Sequence, residues 1–373
     1  MTEYVTTRDA LAAFLDEVRP STTVAVDTEA ASFHRYRDRI FLVQLSTGAR
    51  TAIVDPLEVR DLSPLGAFLE DQGVEKLFHD ADYDLRTLDR DYGFHAKRLF
   101  DTRIAAQLAG EPAIGLAALL ERYVGVNLAK VHQKADWSQR PLPAAMLDYA
   151  ADDVRHLPTL RRALVERLRA LGRLPWAEEE FRRLEGLRWT APGDDSTSYL
   201  RAKGAKRLEP RQLAVLGELW RWRQAVAERE DKALFRIIGN DALLEIARAI
   251  PRDLAALERV TELPTVLARR HGAALLAAIS RAMAVPERDL PRLERGPPMR
   301  RDPEFDERLE RLKAARNTLA DTLGVDPGVL CGRAALEAVA RAAPKDRAAL
   351  ARIAELRGWQ VDSLGDALLA ALR

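Results

Sequence analysis

TVAVDTEA (Thr23–Ala30), RIFLVQLS (Arg39–Ser46) and RTAIVD (Arg50–Asp55) are three short runs rich in Val, Ile and Leu, separated by polar or glycine-containing turns. That is the pattern of β-strands, and the tight connections predict an antiparallel start to a sheet. Working outward, LSPLGAFLEDQG (Leu62–Gly73) and ADYDLRTLDRDYG (Ala81–Gly93) have helical spacing, while EKLFHD (Glu75–Asp80) and KRLFDT (Lys97–Thr102) read as strands. Strand, helix, strand, helix, strand requires parallel crossovers, so the expected fold class is α/β: a mixed sheet covered by helices.

After Asp101 every apolar pattern is helical. The polar stretch Arg188–Arg207 and the proline- and arginine-rich stretch Pro286–Glu304 read as boundaries, so domains are expected over residues 1–195, 208–286 and 302–373. The last two are related to each other. Aligning Gly239 with Gly332 without a gap pairs Leu243 with Leu336, Ala247 with Ala340, Pro251 with Pro344 and Asp253 with Asp346, an internal duplication of a small all-α unit.

Bulk composition excludes more than it selects. A formal net charge of +1 over 373 residues gives no sign of a polyanionic partner, so any nucleic-acid surface must come from local segregation of charge. The single Cys331 cannot form an internal disulfide or a Cys-based zinc site. An acidic, mixed N-terminus and the lack of a long apolar run lead us to expect a cytoplasmic protein with no membrane contact. No GxxxxGKS or GxGxxG loop occurs, so no nucleotide cofactor is expected.

The chemistry lies in acids. Asp27 and Glu29, two apart on a strand, emerge on one face while Thr28 points the other way. In DYAADDVRHL (Asp148–Leu157), Tyr149 and Asp153 stack at i and i+4 of a helix. HDADYDLRTL (His79–Leu88) crowds Asp80, Asp82 and Asp84 into a strand-to-helix turn, where capping explains one or two of them. Singly each signal is weak, since strand ends and helix faces often carry solvated acids. Four carboxylates in one pocket repel by several kcal/mol unless cations sit among them, which points to two divalent ions, Mg²⁺ or Mn²⁺, and two-metal phosphodiester hydrolysis. Tyr149, with a free pKa of about 10, suits orienting the attacking water better than activating it.

VDTE, HDADYDL and YAADD, in that order on strand, turn and helix, resemble the three motifs of DEDD exonucleases in the Tyr-containing branch. The resemblance implies Asp27, Glu29, Asp84 and Asp153 as metal-holding residues and Tyr149 as their catalytic companion. LFDTRIAAQLAG, GLAALLERYVGVNLAK and DWSQRPLPAAMLDYAADDVRHL narrow it to the ribonuclease D family, with an RNase H-like fold. LGELWRWRQAVAERED and the duplicated segment resemble HRDC domains, present twice. The resemblance further implies a monomeric 3′-to-5′ exoribonuclease acting on RNA, above all tRNA precursors with single-stranded 3′ tails. A proofreading-type DNA exonuclease or a non-catalytic RNA-binding protein on the same fold are the rivals.

Six further residues are candidates for substrate binding. Gln44 lies on a strand beside the acids and His79 behind them. Lys130, Gln133, Trp137 and Arg140 form a basic and aromatic stretch suited to single-stranded nucleic acid, although Trp137 fits a core position as well.

Overall fold

The computed structural model describes residues 2–128, 132–191, 193, 195–293 and 302–373. Lys130 and the middle of the second expected linker, residues 294–301, therefore lie outside the described residues. Six strands, β1 (Thr2–Val5), β2 (Thr23–Ala30), β3 (Ile40–Ser46), β4 (Thr51–Val54), β5 (Glu75–Phe78) and β6 (Leu99–Asp101), form one sheet in the order β1-β4-β3-β2-β5-β6. β2, β3 and β4 pair antiparallel, whereas β5 and β6 run parallel to β2, as the spacing of strands and helices implies. β1 was not anticipated. Its TEYV is only four residues long with one of them buried, and it is held by parallel pairing to β4 rather than by an apolar pattern of its own.

Alternation along the strands divides the core in two. Val24, Val26, Val43, Leu45 and Val54 pack on one face against the helices Arg8–Val18, Ser63–Glu70 and Asp82–Tyr92. On the other face, Ala25, Leu42, Ile53 and Leu77 meet the helices Ala144–Arg155 and Leu157–Ala170. Burying each such Val, Leu or Ile contributes roughly 1.5–3 kcal/mol, which fixes the register of β2 and with it the side on which Asp27 and Glu29 emerge. β5 pairs with β2 only over Thr23–Ala25, so Val26–Ala30 run on past its end and leave room for a cavity.

The two helical units repeat one succession of helices. Pro210–Glu230, Leu234–Ile237, Asn240–Ala249, Leu254–Glu258 and Thr265–Met283 correspond to Pro303–Leu323, Pro327–Leu330, Arg333–Ala342, Arg347–Leu350 and Gly358–Ala371. Equivalent details coincide. Ile250 and Ala343 both end a helix at positive φ, 45° and 40°, and Asp253 and Asp346 both cap the next helix by accepting from Ala256 N at 2.8 Å and Ala349 N at 2.7 Å.

Their attachments differ. The second unit shares a continuous apolar core with the catalytic layer, joining Leu312, Leu336 and Leu364 to Leu108, Leu168 and Phe181. Trp359 stacks on Trp176 at 4.7 Å, and Glu179 accepts the N–H groups of Gly358 and Trp359 at 2.7 and 2.9 Å, capping a helix of the neighbouring unit. The first unit instead touches the loop 31–39 that follows β2, where Ala233 N donates to His34 O at 3.1 Å and Tyr36 packs against its core. Among the described residues no helix is long and apolar enough to cross a membrane.

Candidate active site

Asp27 and Glu29 leave β2 on the face covered by the helix Ala144–Arg155, and Asp153 hangs from that helix toward them. Carboxylate oxygens of all three lie within 4.8 Å of one another. Among the described residues no arginine or lysine pairs with them: burial first, then the charge of Asp84 on Asp27 and of Asp27, Asp153 and Asp84 on Glu29, raises both pKa values well above the usual carboxylate range. Burial and the charge of Asp27 push Asp153 up to about 8. Tyr149, one helical turn earlier, is hydrogen-bonded to Asp153, and its own pKa is raised by burial and by the three acids. It therefore stays a protonated donor. An all-oxygen, anionic, partly buried set fits hard divalent cations, which remove the repulsion that the bare cluster carries.

Asp84 arrives from the opposite side of the sheet. It sits in the first turn of the helix Asp82–Tyr92, where the helix dipole favours an anion, and it is almost fully buried. Its Oδ1 accepts the hydroxyl of Thr28, the residue that points away from Asp27 and Glu29. Three carboxylates thus converge directly, and Asp84 stands beside the group rather than within it. Burial lifts its pKa to about 7 despite the Thr28 hydrogen bond, and its charge acts on both Asp27 and Glu29. The extra acids of that turn face elsewhere: Asp80 pairs with Arg103 at 2.5 Å and Asp82 with Arg86 at 2.7 Å.

The turn itself is held by Asp101, which the sequence analysis did not single out. Its carboxylate accepts from Asp80 N and Ala81 N at 3.3 and 2.7 Å, and from Arg103 N and Ile104 N at 2.8 and 3.0 Å. One buried side chain thus clamps the turn before Asp84 and caps the helix Thr102–Leu108. The sequence signal was present as Asp-Thr before an apolar helical run.

A cavity of about 360 Å³, within the size range of small-ligand sites, opens on the acids and is lined by Asp27, Tyr149, Asp153, His79 and Gln133. His79 Nδ1 lies 2.8 Å from Thr102 Oγ1, whose own proton goes to Phe78 O at 3.0 Å. Nδ1 must therefore be the donor, leaving Nε2 as a bare acceptor. Burial lowers the ring's pKa to about 4, so it remains neutral. Across the cavity, Gly115, Leu116, Ala117 and Ala118 form the start of the helix Leu116–Val124, which has no side-chain cap. With no side-chain cap among the described residues, this helix end suits an anion, a feature that the sequence analysis missed and that was signalled only by a Gly with no Ser, Thr or Asp beside it.

Gln44 is opposite Asp27 in the β2–β3 register and so shares its face. It is completely buried, and neither amide atom finds a partner among the described residues. The basic and aromatic stretch divides. Gln133 reaches the cavity, but Trp137 is 1% exposed, in a small core with Phe41 and Met146, and its ring is 6.2 Å from that of Tyr149. Arg140 is bound to the buried Asp55 at 2.5 and 2.8 Å and to Phe41 O at 3.0 Å. The expected stacking surface is not offered by Trp137, nor a free cation by Arg140: both brace the approach to the helix of Tyr149 and Asp153.

Comparison with known proteins agrees with this architecture. A family described as 3′-5′ exonuclease matches residues 2–169, and the HRDC domain matches twice, over 212–279 and 305–372. Ribonuclease D of Granulibacter bethesdensis is 33% identical over 98% of this chain and 91% of its own length. The enzyme of Escherichia coli K12 is 35% identical over 78% of this chain and 77% of its own. The crystal structure of E. coli RNase D, an exoribonuclease involved in structured RNA processing, superposes with a TM-score of 0.72 at 29% identity, covering 100% of this chain and 98% of that one.

Proposed function

The chain belongs to the ribonuclease D family and is a 3′-5′ exoribonuclease, and from that premise we propose that it trims RNA in the acid cavity, releasing nucleoside monophosphates. The observation that carries the proposal is the convergence of Asp27, Glu29 and Asp153 within 4.8 Å, next to Tyr149 and with no neutralising cation among the described residues. Asp27, Glu29 and Asp153, with Asp84 beside them, would hold the metal. Two Mg²⁺ or Mn²⁺ ions would supply neutralisation of the phosphate's charge and a water acidified toward neutral pH.

The chain's own groups do the rest. The N–H groups at Leu116–Ala118, without a side-chain cap among the described residues, receive a phosphate of the terminal nucleotide. Tyr149, kept protonated and anchored on Asp153, orients the attacking water by hydrogen bonding and cannot serve as its base. His79 Nε2, a neutral acceptor on the cavity wall, suits a ribose hydroxyl, which favours RNA over a matched DNA. Gln133 at the rim and the Gln44 amide beside Asp27 supply further polar contacts. By analogy with the E. coli enzyme's part in structured RNA processing, the substrates are structured RNAs with short single-stranded 3′ tails, tRNA precursors first among them.

The deciding experiment incubates purified protein with a 3′-extended tRNA and with matched RNA and DNA oligonucleotides, with Mg²⁺, Mn²⁺ or EDTA. Stepwise monophosphate release from RNA, stopped by EDTA, is expected. Equal or faster digestion of DNA would replace the RNA reading, and binding without cleavage under every metal condition would leave an RNA-binding protein.

A further inference from the structure

Phe33 and Phe235 are exposed where most apolar side chains of this chain are not, at 44% and 56%. Phe33 belongs to the loop after β2 and Phe235 to the first helical unit, and their rings meet edge to face with centroids 6.3 Å apart. Such exposure is poorly explained by packing. The backbone around the pair is nonetheless firmly held: Arg236 Nε donates to Phe33 O at 2.5 Å, Ala233 N to His34 O at 3.1 Å, and His34 Nε2 lies 2.9 Å from Lys134 O. The rings are presented on a braced platform.

The surroundings are cationic. Lys134 Nζ stands 5.4 Å from the Phe33 ring centre and the Arg236 guanidinium 5.9 Å from that of Phe235. Both side chains are exposed, and neither has a carboxylate partner among the described residues. Arg35, by contrast, faces Asp136 and Asp231 at 3.8 Å each, so its charge is answered internally. The platform is also continuous with the acid cavity. Lys134 directly follows Gln133, which lines it, and Phe33 lies four residues beyond Glu29, at most about 14 Å along the chain.

We propose that Phe33 and Phe235, flanked by Lys134 and Arg236, form a stacking subsite for the single-stranded RNA just upstream of the nucleotide being removed. The inference rests on the nuclease reading above. Aromatic faces with neighbouring cations bind single strands by stacking and phosphate neutralisation, without regard to sequence. An exonuclease that advances through any sequence needs that tolerance. Because one ring comes from each domain, the subsite would also tie the first helical unit to the strand that carries Asp27 and Glu29.

The test compares wild type with Phe33→Ala/Phe235→Ala and with Phe33→Tyr/Phe235→Tyr. Each is assayed on a short single-stranded RNA, on the same RNA lacking the second and third bases from its 3′ end, and on a p-nitrophenyl ester of a nucleoside 5′-monophosphate. Stacking of one or two bases predicts a rise in KM for RNA of roughly 5- to 100-fold in the alanine variant. Its kcat and its rate on the ester should stay within about twofold of wild type, and the tyrosine variant should behave as wild type. Removing the two bases should weaken wild type and leave the alanine variant unaffected, the signature of coupled partners.

Unchanged KM in the alanine variant, equal sensitivity to base removal in both proteins, or a parallel loss on the ester each overturns the subsite. So does light scattering that shows wild type dimeric and the alanine variant monomeric, since a second copy would then be the occupant. If the alanine variant does not fold, base removal still tests the subsite in wild type, where a KM unchanged by loss of both bases overturns it. Wild type that cleaves neither RNA nor ester sinks the nuclease reading, and the subsite with it.

Discussion

The acid cavity at the end of β2 and the joint that holds the second helical unit both draw carboxylates at least partly out of solvent, and use them in opposite ways. At the joint, Glu179 receives two backbone N–H groups and Glu180 receives the Trp359 indole at 2.8 Å and Arg357 at 3.2 Å. In the cavity, Asp27, Glu29 and Asp153 have chiefly one another. A buried acid supplied with donors fastens elements together, as Asp101 does beside the cavity with four N–H groups. A buried acid short of donors lowers stability and waits for a cation. Burial alone does not separate a strut from a site; the donor inventory does.

The largest effect that could break this comparison is on chemistry. Asp153→Asn should cut monophosphate release by at least about a thousandfold, as loss of several kcal/mol of transition-state stabilisation implies. RNA binding should remain largely intact, and the metal-free thermal midpoint should stay at or above that of wild type. A variant both inactive and clearly less stable would make Asp153 a strut.

Next comes the joint. Trp359→Ala removes the stack on Trp176 and an indole donor, and should cost about 3–5 kcal/mol in denaturant unfolding while the rate per folded molecule on a nucleotide ester holds. A loss of ester hydrolysis in fully folded protein would show that the joint reaches the chemistry.

Tyr149→Phe should lower kcat roughly 10- to 100-fold with Mn²⁺ affinity nearly unchanged, because the hydroxyl orients water and does not need to hold the ion. Normal turnover would remove Tyr149 from the mechanism.

The remaining effect is on pH. Asp153 binds its proton more tightly folded than unfolded, so its contribution to stability is whole below about pH 4 and is lost as pH climbs through about 8. Without divalent ions, the stability advantage of Asp153→Asn over wild type should therefore widen between those limits and shrink when Mn²⁺ is added. A gap constant across that range would mean that Asp153 is not ionising against its neighbours.

How much of this was legible can be traced residue by residue. The acids of β2 were readable because a two-residue period puts Asp27 and Glu29 on one face whatever surrounds them, and the helical period does the same for Tyr149 and Asp153. The directions of the five recognised strands came from connection lengths, and their order across the sheet only from the structure. β1 did not, since four residues carry too little pattern, and Trp137 could be read equally as a stacking face or as core until Phe41 and Met146 closed around it.

The amino-acid sequence by itself determined the layers, the duplication of the helical unit and which acids share an element, because these depend on local periods and on spacing along the chain. Only the tertiary structure decided which acids have donors, that Asp84 leans on Thr28 while three others converge, that Arg140 is committed to Asp55, and that Phe33 meets Phe235 some two hundred residues away in sequence. Those outcomes depend on which side chains from distant segments come within hydrogen-bonding or packing range, and a one-dimensional pattern contains no such distances.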